Sequence, residues 1–324
     1  MFNAGLTRII KALLVLVSVI VINFALVRFA PGDPVSVIAG EAGASDAKFV
    51  ADLRAEFQRE KPIHVQLITY LSNIATGDLG YSYRQRRPVL ELIWERLPAT
   101  LLLTGSAFLF SIVVGVAFGT FAGLKRGTWS DSGLMLLCLL CYALPVFWLG
   151  LVLVLVFSVW LKWLPAFGMQ TLGFQGDWIA QASDILKHLI LPCITLGAYY
   201  VALYTRVMRS SMAEVNTSDF IKTAYAKGLS KSRIVGAHML RNASLPVVTL
   251  AGIQAGQLIG GSIVVETVFA WPGIGRLALD SLLQREYTIL MGVFIVTSVM
   301  VIGLNIITDL ILAIVDPRIK RAGA

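Results

Sequence analysis

The sequence predicts an all-α, polytopic membrane protein with six transmembrane helices. Of its 324 residues, 57% are hydrophobic and only 14% are charged, whereas an ordinary soluble domain has about 25% charged residues. The mean hydropathy is +0.77, and the apolar residues are spread along the whole chain instead of forming one anchor. Backbone amides that cross lipid have to be hydrogen-bonded within their own segment, so these runs are predicted to be helices. The composition excludes a disordered chain and argues against a soluble enzyme.

Six apolar runs give the predicted spans, each near the ~20 residues that ~30 Å of hydrocarbon requires. They lie at about 12–27, 99–124, 134–160, 188–204, 246–270 and 290–315. The first run is long for a signal peptide, and no small-x-small cleavage site follows it before Pro31, which favours a retained span. Six spans place both termini on the same side of the membrane.

The spans divide the chain into five predicted regions. These are an N-terminal transmembrane helix (1–30), an external helical segment (31–97), spans two to four (98–208), a cytoplasmic loop (209–245), and the last two spans with a cytoplasmic C-terminus (246–324). In short loops, fourteen Lys and Arg residues lie on the side of the termini and four on the other. The positive-inside rule therefore makes the side of the termini cytoplasmic. The formal net charge of +8 reflects this topology, and no soluble basic module for nucleic acid is present.

The external segment 31–97 carries helical patterns of its own. Ser45 is a candidate N-cap for a first helix that Pro62 ends, a second helix ends at Gly77, and Pro88 opens a third. Two interpretations stay open: the segment packs as a lid, or it is a landing surface for an external partner.

The cytoplasmic loop 209–245 has a helix, glycine, helix pattern. Ser218 or Asp219 can cap a first helix, Gly228 can close it in a left-handed conformation, and Ser230 can cap a second helix that runs to about residue 242. Small side chains in the first helix would let another surface approach closely. The pattern predicts a hairpin that fits a groove of a partner. The alternative is a basic loop that rests on anionic lipid headgroups.

Seven ordered segments carry a resemblance to a known family, and they extend over nearly the whole chain. They are Pro31-Gly-Asp-Pro34, Gly77-Asp-Leu-Gly-Tyr-Ser82, Arg96-Leu-Pro-Ala-Thr100, Pro145-Val-Phe-Trp-Leu-Gly150, Trp163-Leu-Pro165, Val265-Glu-Thr-Val-Phe-Ala-Trp-Pro-Gly-Ile-Gly275 and Asp316-Pro-Arg318, together with the loop motifs Asp219-Phe-Ile-Lys-Thr-Ala-Tyr-Ala-Lys-Gly-Leu229 and His238-Met-Leu-Arg-Asn-Ala-Ser-Leu-Pro246. The chain resembles the permeases of ATP-binding-cassette (ABC) importers of the dipeptide/oligopeptide/nickel type. It is most similar to the first, B-type, permease of such systems. Tyr225 stands where the family commonly has Arg.

The resemblance implies a type I ABC importer permease fold and a transport subunit that forms half of a translocation pathway for peptides or related small solutes, in the cell inner membrane. The partners it implies are a second homologous permease, two cytoplasmic ATPases that bind ATP and Mg, and an extracytoplasmic substrate-binding protein. No catalytic residue, cofactor or metal is expected in this chain, which contains no G-x-x-x-x-G-K-[ST] phosphate loop. The predicted ATPase-docking residues are Asp219, Phe220, Thr223, Ala224, Tyr225, Lys227, Gly228, Leu229 and His238.

Polar groups and glycine ladders at membrane depth are candidates for the pathway or for helix contacts. The polar candidates are Gln254, Gln257, Asn305 and Asp309, of which the last two fit a family pattern that favours hydrogen bonding between helices. Glycines four residues apart form one ladder at 115, 119 and 123 and a second at 252, 256 and 260. Both sliding and static helix packing remain open for each ladder.

Other motifs are predicted to have structural roles. The Cys138-x-x-Cys141 pair lies among leucines and is predicted to be buried in a helix. The Gly273-Ile-Gly275 sequence follows Trp271-Pro272 instead of a strand, so we expect a turn and a short helix, not a dinucleotide site. The three histidines, His64, His188 and His238, fall near different interfaces, which argues against a shared metal site.

Two other function classes would require features that this sequence lacks. An ion- or proton-coupled secondary carrier that works without ATPases would need intramembrane charges that face one another, and only Asp309 is deep enough. An integral membrane enzyme would need a cluster of nucleophile, base or metal ligands near one interface. The sequence shows no such cluster.

Overall fold

The computed structural model describes residues 2–29, 62–174 and 176–315, and these are helical almost throughout. In chain order the elements are α1 Phe2–Phe29, α2 Ile63–Ala75, β1 Tyr81–Ser82, β2 Arg87–Pro88, α3 Val89–Leu124, α4 Trp129–Ala143, α5 Val146–Leu153, the π-helix π1 Val154–Trp160, α6 Trp178–Asn216, α7 Asp219–Ala226, α8 Lys231–Arg233, the π-helix π2 Ile234–Met239, α9 Leu240–Ala243, α10 Leu245–Val268, α11 Ile274–Leu283 and α12 Tyr287–Val315. The two strands pair antiparallel, with Tyr81 opposite Pro88. The prediction of an all-α protein is confirmed.

The candidate membrane spans agree with the predicted arrangement. Within the described part of the chain, α3, α6, α10 and the Tyr287–Thr308 part of α12 are each long and apolar enough to cross a bilayer. The bent pair formed by α4 and α5–π1 would make a fifth span, and Ala12–Ala25 in α1 is a shorter apolar helix. This set is compatible with six spans.

The third span is broken where the sequence predicts one run over residues 134–160. Its two halves meet at an angle of 111°, at Leu144 and Pro145. Leu144 is extended, with φ −76° and ψ 137°, because the ring of a following proline disfavours the helical conformation. Each half has 15 residues, or roughly 22 Å of helix, which is less than the hydrocarbon thickness.

Helix α3 extends further toward the N-terminus than predicted. The third helix predicted in segment 31–97 and the second predicted span form one continuous helix of 36 residues, with Pro98 inside it. Val89, Leu92, Ile93 and Leu97 in its first turns are buried, and this packing stabilises a helix that local sequence would end at the proline. The second helix predicted in segment 31–97 is observed as α2, whereas the helix predicted near Ser45 lies outside the described residues.

The chain divides into two compact units. The first consists of Met1–Pro98 and Pro272–Ile302, and the second of Ala99–Trp271 and Gly303–Ala324. The core of the first unit contains Val89, Leu92, Ile93, Leu97, Ile274, Leu277, Ala278, Ile289, Leu290 and Val293. In this unit the Asn23 amide of α1 donates a hydrogen bond to the Met291 carbonyl at 3.2 Å. The helix predicted at the Gly273-Ile-Gly275 motif is α11, so that prediction is confirmed.

Helix α6 is the centre of the second unit. Tyr204, Met208 and Met212 are fully buried on one face of it and pack against Gly115, Gly119 and Gly123 of α3, respectively. A Cβ atom added at Gly115 would lie 2.6 Å from the Tyr204 Cβ atom, and one added at Gly123 would lie 2.6 Å from the Met212 Cβ atom. The first glycine ladder therefore brings α3 and α6 into close contact, as glycines do between membrane helices.

A buried ion pair joins α4 to α6 at one end of the second unit. The Arg209 guanidinium donates to both carboxylate oxygens of Asp131, at 2.6 and 2.7 Å. Asp131 is 2% exposed, and it also accepts from the Gly127 amide at 3.0 Å. Such bidentate geometry fixes the relative orientation of the two helices.

A second buried carboxylate joins α10 to α3. Glu266 is fully buried and accepts hydrogen bonds from the hydroxyls of Thr100, at 2.7 Å, and Ser262, at 3.2 Å. The Trp271 indole donates to the Ala99 carbonyl at 2.8 Å. Ala99 and Thr100 lie in α3 where the second unit begins. These bonds hold that turn of α3 against the C-terminal end of α10.

Candidate functional site

The hairpin predicted in the loop 209–245 begins, after α6 ends at Asn216, with the short helix α7. Ser218 occupies the N-cap position in an extended conformation, but its side chain makes no cap hydrogen bond. Its hydroxyl donates instead to the Val215 carbonyl at 2.5 Å. Ser230 likewise stands at the N-cap of α8 without a side-chain cap bond. The predicted cap positions are thus observed, whereas the predicted side-chain caps are not made.

Gly228 ends the first arm of the hairpin as the sequence predicts. Its φ of +74° is in the left-handed region, where residues with a Cβ atom are disfavoured. The Gly228 amide donates to the Tyr225 carbonyl at 2.9 Å, and the Leu229 amide donates to the Ala224 carbonyl at 3.3 Å. These bonds satisfy the last carbonyls of α7 and turn the chain toward α8.

One face of α7 packs into the second unit. Ile221 is fully buried and Ala224 is 7% exposed, and both belong to the same core as Met212, Ile234 and Met239. Ala224, which the sequence assigns to the docking surface, therefore faces its own subunit. This burial fixes the short helix to π2, which itself contacts α6. Such packing is needed because an isolated helix of eight residues would be marginal in water.

The rest of α7 is open, and two exposed aromatic side chains flank its buried face, one on each side. Phe220 is 46% exposed and Tyr225 is 47% exposed. Of the other predicted docking residues, Asp219, Thr223, Lys227 and Gly228 are exposed, and Leu229 and His238 are half-buried. We call the exposed set Asp219, Phe220, Thr223, Tyr225, Lys227 and Gly228 the hairpin face. It combines two exposed aromatic side chains, roughly 140° apart around the helix, with charged and small polar residues between them, and exposed aromatic residues are typical of protein interfaces.

The second arm of the hairpin is a helix with a π-helical centre. The predicted helix from Ser230 to about residue 242 is observed as α8, π2 and α9. Ile234, Met239 and Ala243 are buried, so this arm also packs into the core of the second unit. The Asn242 amide donates to the His238 carbonyl at 2.7 Å.

Three of the four polar residues predicted at membrane depth have described side chains, and these differ in burial. The Gln254 side chain is half-buried, and its Oε1 atom is buried without a hydrogen-bond partner among the described residues. Gln257 and Asn305 are exposed. The Asp309 side chain lies outside the described residues. The inter-helix hydrogen bonding favoured for Asn305 is not seen in the part of the chain that the structure describes.

Sequence reasoning missed both buried carboxylates of the second unit. Asp131 and Arg209 are 78 residues apart, and Thr100 and Glu266 are 166 apart, so no local pattern pairs them. The one local signal is the acidic residue itself. An uncompensated carboxylate in or beside a membrane helix is costly, so its presence predicts a hydrogen-bonding or cationic partner elsewhere in the chain.

Curated relatives match almost the entire chain. A dipeptide transport system permease protein DppB from Alkalihalophilus pseudofirmus is 36% identical, over 99% of this chain and 100% of its own length. A di/tripeptide transport system permease protein DppB from Pseudomonas aeruginosa is 38% identical, over 94% of both chains. A glutathione transport system permease protein GsiC from Salmonella choleraesuis is also 38% identical, over 99% of both chains.

Two crystal structures of inward-facing conformations of the MetNI methionine ABC transporter share the fold. One chain gives a TM-score of 0.54 over 70% of this chain and 97% of its own, and the other gives 0.56 over 69% and 96%. Sequence identity is 18% in both cases, so the similarity concerns the fold alone. It confirms the predicted permease fold of type I ABC importers.

Two family models together cover nearly the whole sequence. The model of the N-terminal part of binding-protein-dependent transport system membrane components matches residues 1–104, and the model of the inner membrane component itself matches residues 115–321. These matches confirm the prediction of a permease of an ATP-driven importer and exclude the enzyme interpretation. The chain belongs to the family of binding-protein-dependent transport system inner membrane components.

Proposed function

We propose that this permease forms half of the translocation pathway of an ATP-driven importer of short peptides. Its partners would be a second homologous permease, two cytoplasmic ATPases that bind ATP and Mg, and an extracytoplasmic binding protein that delivers the peptide. The cargo is inferred from relatives named as dipeptide, di/tripeptide and glutathione permeases. The protein would lie in the cytoplasmic membrane with both termini in the cytoplasm, as the distribution of Lys and Arg favours.

The hairpin face is the observation that supports this function. Phe220 and Tyr225 are about half exposed on α7, on either side of Ile221 and Ala224, which are buried in the second unit. A helix that is anchored on one side and open on the other is suited to fit a groove of a partner. We propose that the groove belongs to an ATPase subunit, and that Asp219, Phe220, Thr223, Tyr225, Lys227, Gly228, Leu229 and His238 contact or border it.

The packing of the second unit supplies a route for the motion. A displacement of α7 acts on π2, which it contacts, and through π2 and α9 on α6. Helix α6 is in turn fixed to α3 at the first glycine ladder and to α4 by the Arg209–Asp131 pair. We propose that closure of the ATPases pulls these three helices as one body and so changes the side on which the pathway is open.

The test removes the two aromatic side chains of the hairpin face. We expect Phe220→Ala combined with Tyr225→Ala to reduce the recovery of ATPase with the purified permease pair by about tenfold or more, as loss of aromatic interface anchors does. Uptake of labelled alanyl-alanine into cells should fall in parallel. Phe174→Ala is the matched control, because Phe174 is 43% exposed but lies outside the hairpin.

Two outcomes would contradict this assignment. Unchanged ATPase recovery and uptake in the double variant would remove the docking role. Normal ATPase recovery combined with weaker binding to anionic vesicles would show that the hairpin only rests on lipid headgroups. If the unaltered transporter takes up no peptide, the proposed cargo is wrong while the docking result still stands.

A further inference from the structure

The segment of the second unit that joins π1 to α6 exposes aromatic side chains that the proposed function does not use. Trp160 and Trp163 are each 69% exposed, and Phe167 is 58% exposed. Lys162, between the two tryptophans, is also exposed. Among the described residues, no carboxylate lies within ion-pair distance of this lysine. We call Trp160, Lys162, Trp163 and Phe167 the aromatic edge.

The aromatic edge is fixed to the second unit by its backbone and by neighbouring side chains. The Trp163 amide donates to the Phe157 carbonyl at 2.9 Å, and the two rings lie 6.1 Å apart between centroids. Lys162 has a φ of +53°, a left-handed conformation that commonly ends a helix and here turns the chain after π1. The side chains of this segment that pack against the core are Leu164, Ala166 and Met169.

A hydrogen bond to the end of α10 gives the level of the aromatic edge relative to the predicted spans. The Gly168 amide donates to the Phe269 carbonyl at 2.8 Å. Phe269 directly follows α10 and is the second-last residue of the apolar run 246–270. Phe167, one residue before Gly168, therefore lies near the level at which the fifth predicted span leaves the hydrocarbon.

Two contacts with α6 give a consistent level for the tryptophans. Before them in the chain, a Cβ atom added at Gly150 would lie 3.3 Å from the Thr195 Cγ2 atom, and Thr195 is roughly 10 Å inside the apolar run 188–204. After them, the Thr171 amide and hydroxyl donate to the Asp184 carboxylate at 2.7 and 2.9 Å. Asp184 is roughly 6 Å outside that run. The chain thus leaves the hydrocarbon between these two contacts, where the tryptophans lie.

The composition of the aromatic edge is typical of such a boundary. Tryptophan is enriched where hydrocarbon meets headgroups, because its ring is apolar and its indole N–H is a hydrogen-bond donor. A lysine at this level can lay its stem along apolar surface while its ammonium stays among the headgroups. In water, by contrast, the exposed rings would form an apolar patch without a partner. Level and composition both favour lipid as the partner.

We propose that the aromatic edge binds the headgroup layer of the leaflet on the side opposite the termini. The tryptophan rings lie at the boundary with the hydrocarbon, and the Lys162 ammonium binds a phospholipid phosphate. This contact holds the outer end of the broken third span at the lipid surface. The inference is independent of the peptide cargo and of ATPase docking.

Trp178 provides a matched control in the same chain. It is 78% exposed, but as the first residue of α6 it precedes the run 188–204 by roughly 15 Å of helix. The headgroup layer extends only about 5–8 Å beyond the hydrocarbon on each side. Trp178 is therefore as exposed as Trp163, yet it lies outside the proposed lipid contact.

The first test measures depth in the complete transporter, reconstituted in vesicles of phosphatidylethanolamine and phosphatidylglycerol. Trp163→Cys and Trp178→Cys are made separately, after replacement of the native cysteines, and are labelled with bimane. The quenchers are a phospholipid with a nitroxide on its headgroup, one with a nitroxide near the end of an acyl chain, and aqueous iodide. We expect the headgroup nitroxide to quench the label at Trp163 about threefold more strongly than the label at Trp178. Iodide should show the reverse order.

The second measurement uses the transporter without cysteine substitutions, so it does not depend on the folding of the labelled variants. Phosphatidylglycerol with a photoactivatable carbene precursor in its headgroup is included in the vesicles, and adducts are mapped after irradiation. We expect about fivefold more adducts on residues 160–167 than on residues 176–180. Lys162→Asn removes the charge at a position where asparagine tolerates the left-handed conformation, and it should lower the adduct yield on residues 160–167. An unchanged yield would overturn the phosphate contact.

Each alternative partner gives a different result. If iodide quenches both labels equally and neither lipid does, the aromatic edge lies in water and the proposal is wrong. Protection of the Trp163 label from all three quenchers would show that another subunit covers the edge, which also overturns it. Lipid quenching that is abolished by the binding protein would show a landing surface for that protein instead. Stronger quenching by the acyl-chain nitroxide would place the edge inside the hydrocarbon and contradict the headgroup contact.

Discussion

The two glycine ladders have the same spacing in the sequence and different surroundings in the structure. Gly115, Gly119 and Gly123 of α3 lie against side-chain and backbone atoms of α6, with no room for a Cβ atom. In the second ladder, on α10, Gly252 and Gly256 are buried, whereas Gly260 is exposed, and a Cβ atom there would meet no heavy atom within 4 Å. The spacing of the glycines therefore predicts a helix face without side chains. Which other helix packs on that face is decided by the tertiary structure.

The difference also bears on how the permease moves. The contacts of the first ladder interlock with the side chains of Tyr204, Met208 and Met212, and packed interfaces of this kind resist gradual sliding. This favours static packing for the first ladder, so that α3 and α6 move together. The open position at Gly260 leaves the end of the second ladder available to another helix or to lipid.

The largest effect is expected from Gly119→Ala. Its Cβ atom would lie 2.7 Å from the Thr205 carbonyl oxygen and 2.9 Å from the Met208 Cγ atom, with the Met208 Cβ atom closer still. Because the oxygen belongs to a helix backbone, it cannot move without displacing α6. We expect a loss of about 3 kcal/mol in stability, near the upper end for overpacking. Thermal unfolding of the purified permease in detergent measures it, and a loss no larger than for Gly260→Ala would contradict the comparison.

A smaller effect is expected from Asp131→Asn, at the end of the same contact. The amide keeps the size of the carboxylate but cannot accept two bonds from the Arg209 guanidinium, whose side chain is only 28% exposed. We expect a loss of about 2 kcal/mol, since charge-assisted bonds and burial of an unpaired charge both contribute. The same unfolding measurement applies. Glu91→Gln is the matched control, because the Arg87–Glu91 pair is exposed and should contribute little.

Much of the fold could be predicted from the sequence because membrane spans and caps are local signals. The apolar runs located α3, α6, α10 and α12, and Gly228 located the end of α7. The helical part of the hairpin followed from its turn residues, although Ser218 and Ser230 do not form the side-chain caps that their positions suggest.

The remaining features depend on contacts between distant residues. The sequence shows the proline at the break, Pro145. The angle of 111° between the two halves of the third span depends on the elements that each half packs against. Ala224 belongs to a motif that suggests docking, yet the shared core with Met212 buries it. The Asp131–Arg209 pair depends on the register between α4 and α6, which no local pattern encodes.

The smallest effect is expected from Gly260→Ala, which places the same methyl group on the second ladder. Since nothing lies within 4 Å of the added Cβ atom, we expect the stability of the isolated permease to change by less than about 0.5 kcal/mol. Thermal unfolding of the variant beside Gly119→Ala gives the result under identical conditions. A loss approaching that of Gly119→Ala would show that Gly260 is packed against the chain after all, and the two ladders would then be equivalent. The same variant, assembled with the second permease, separates the remaining possibilities, because weaker pairing with unchanged stability would place the open end of the ladder at the contact between subunits.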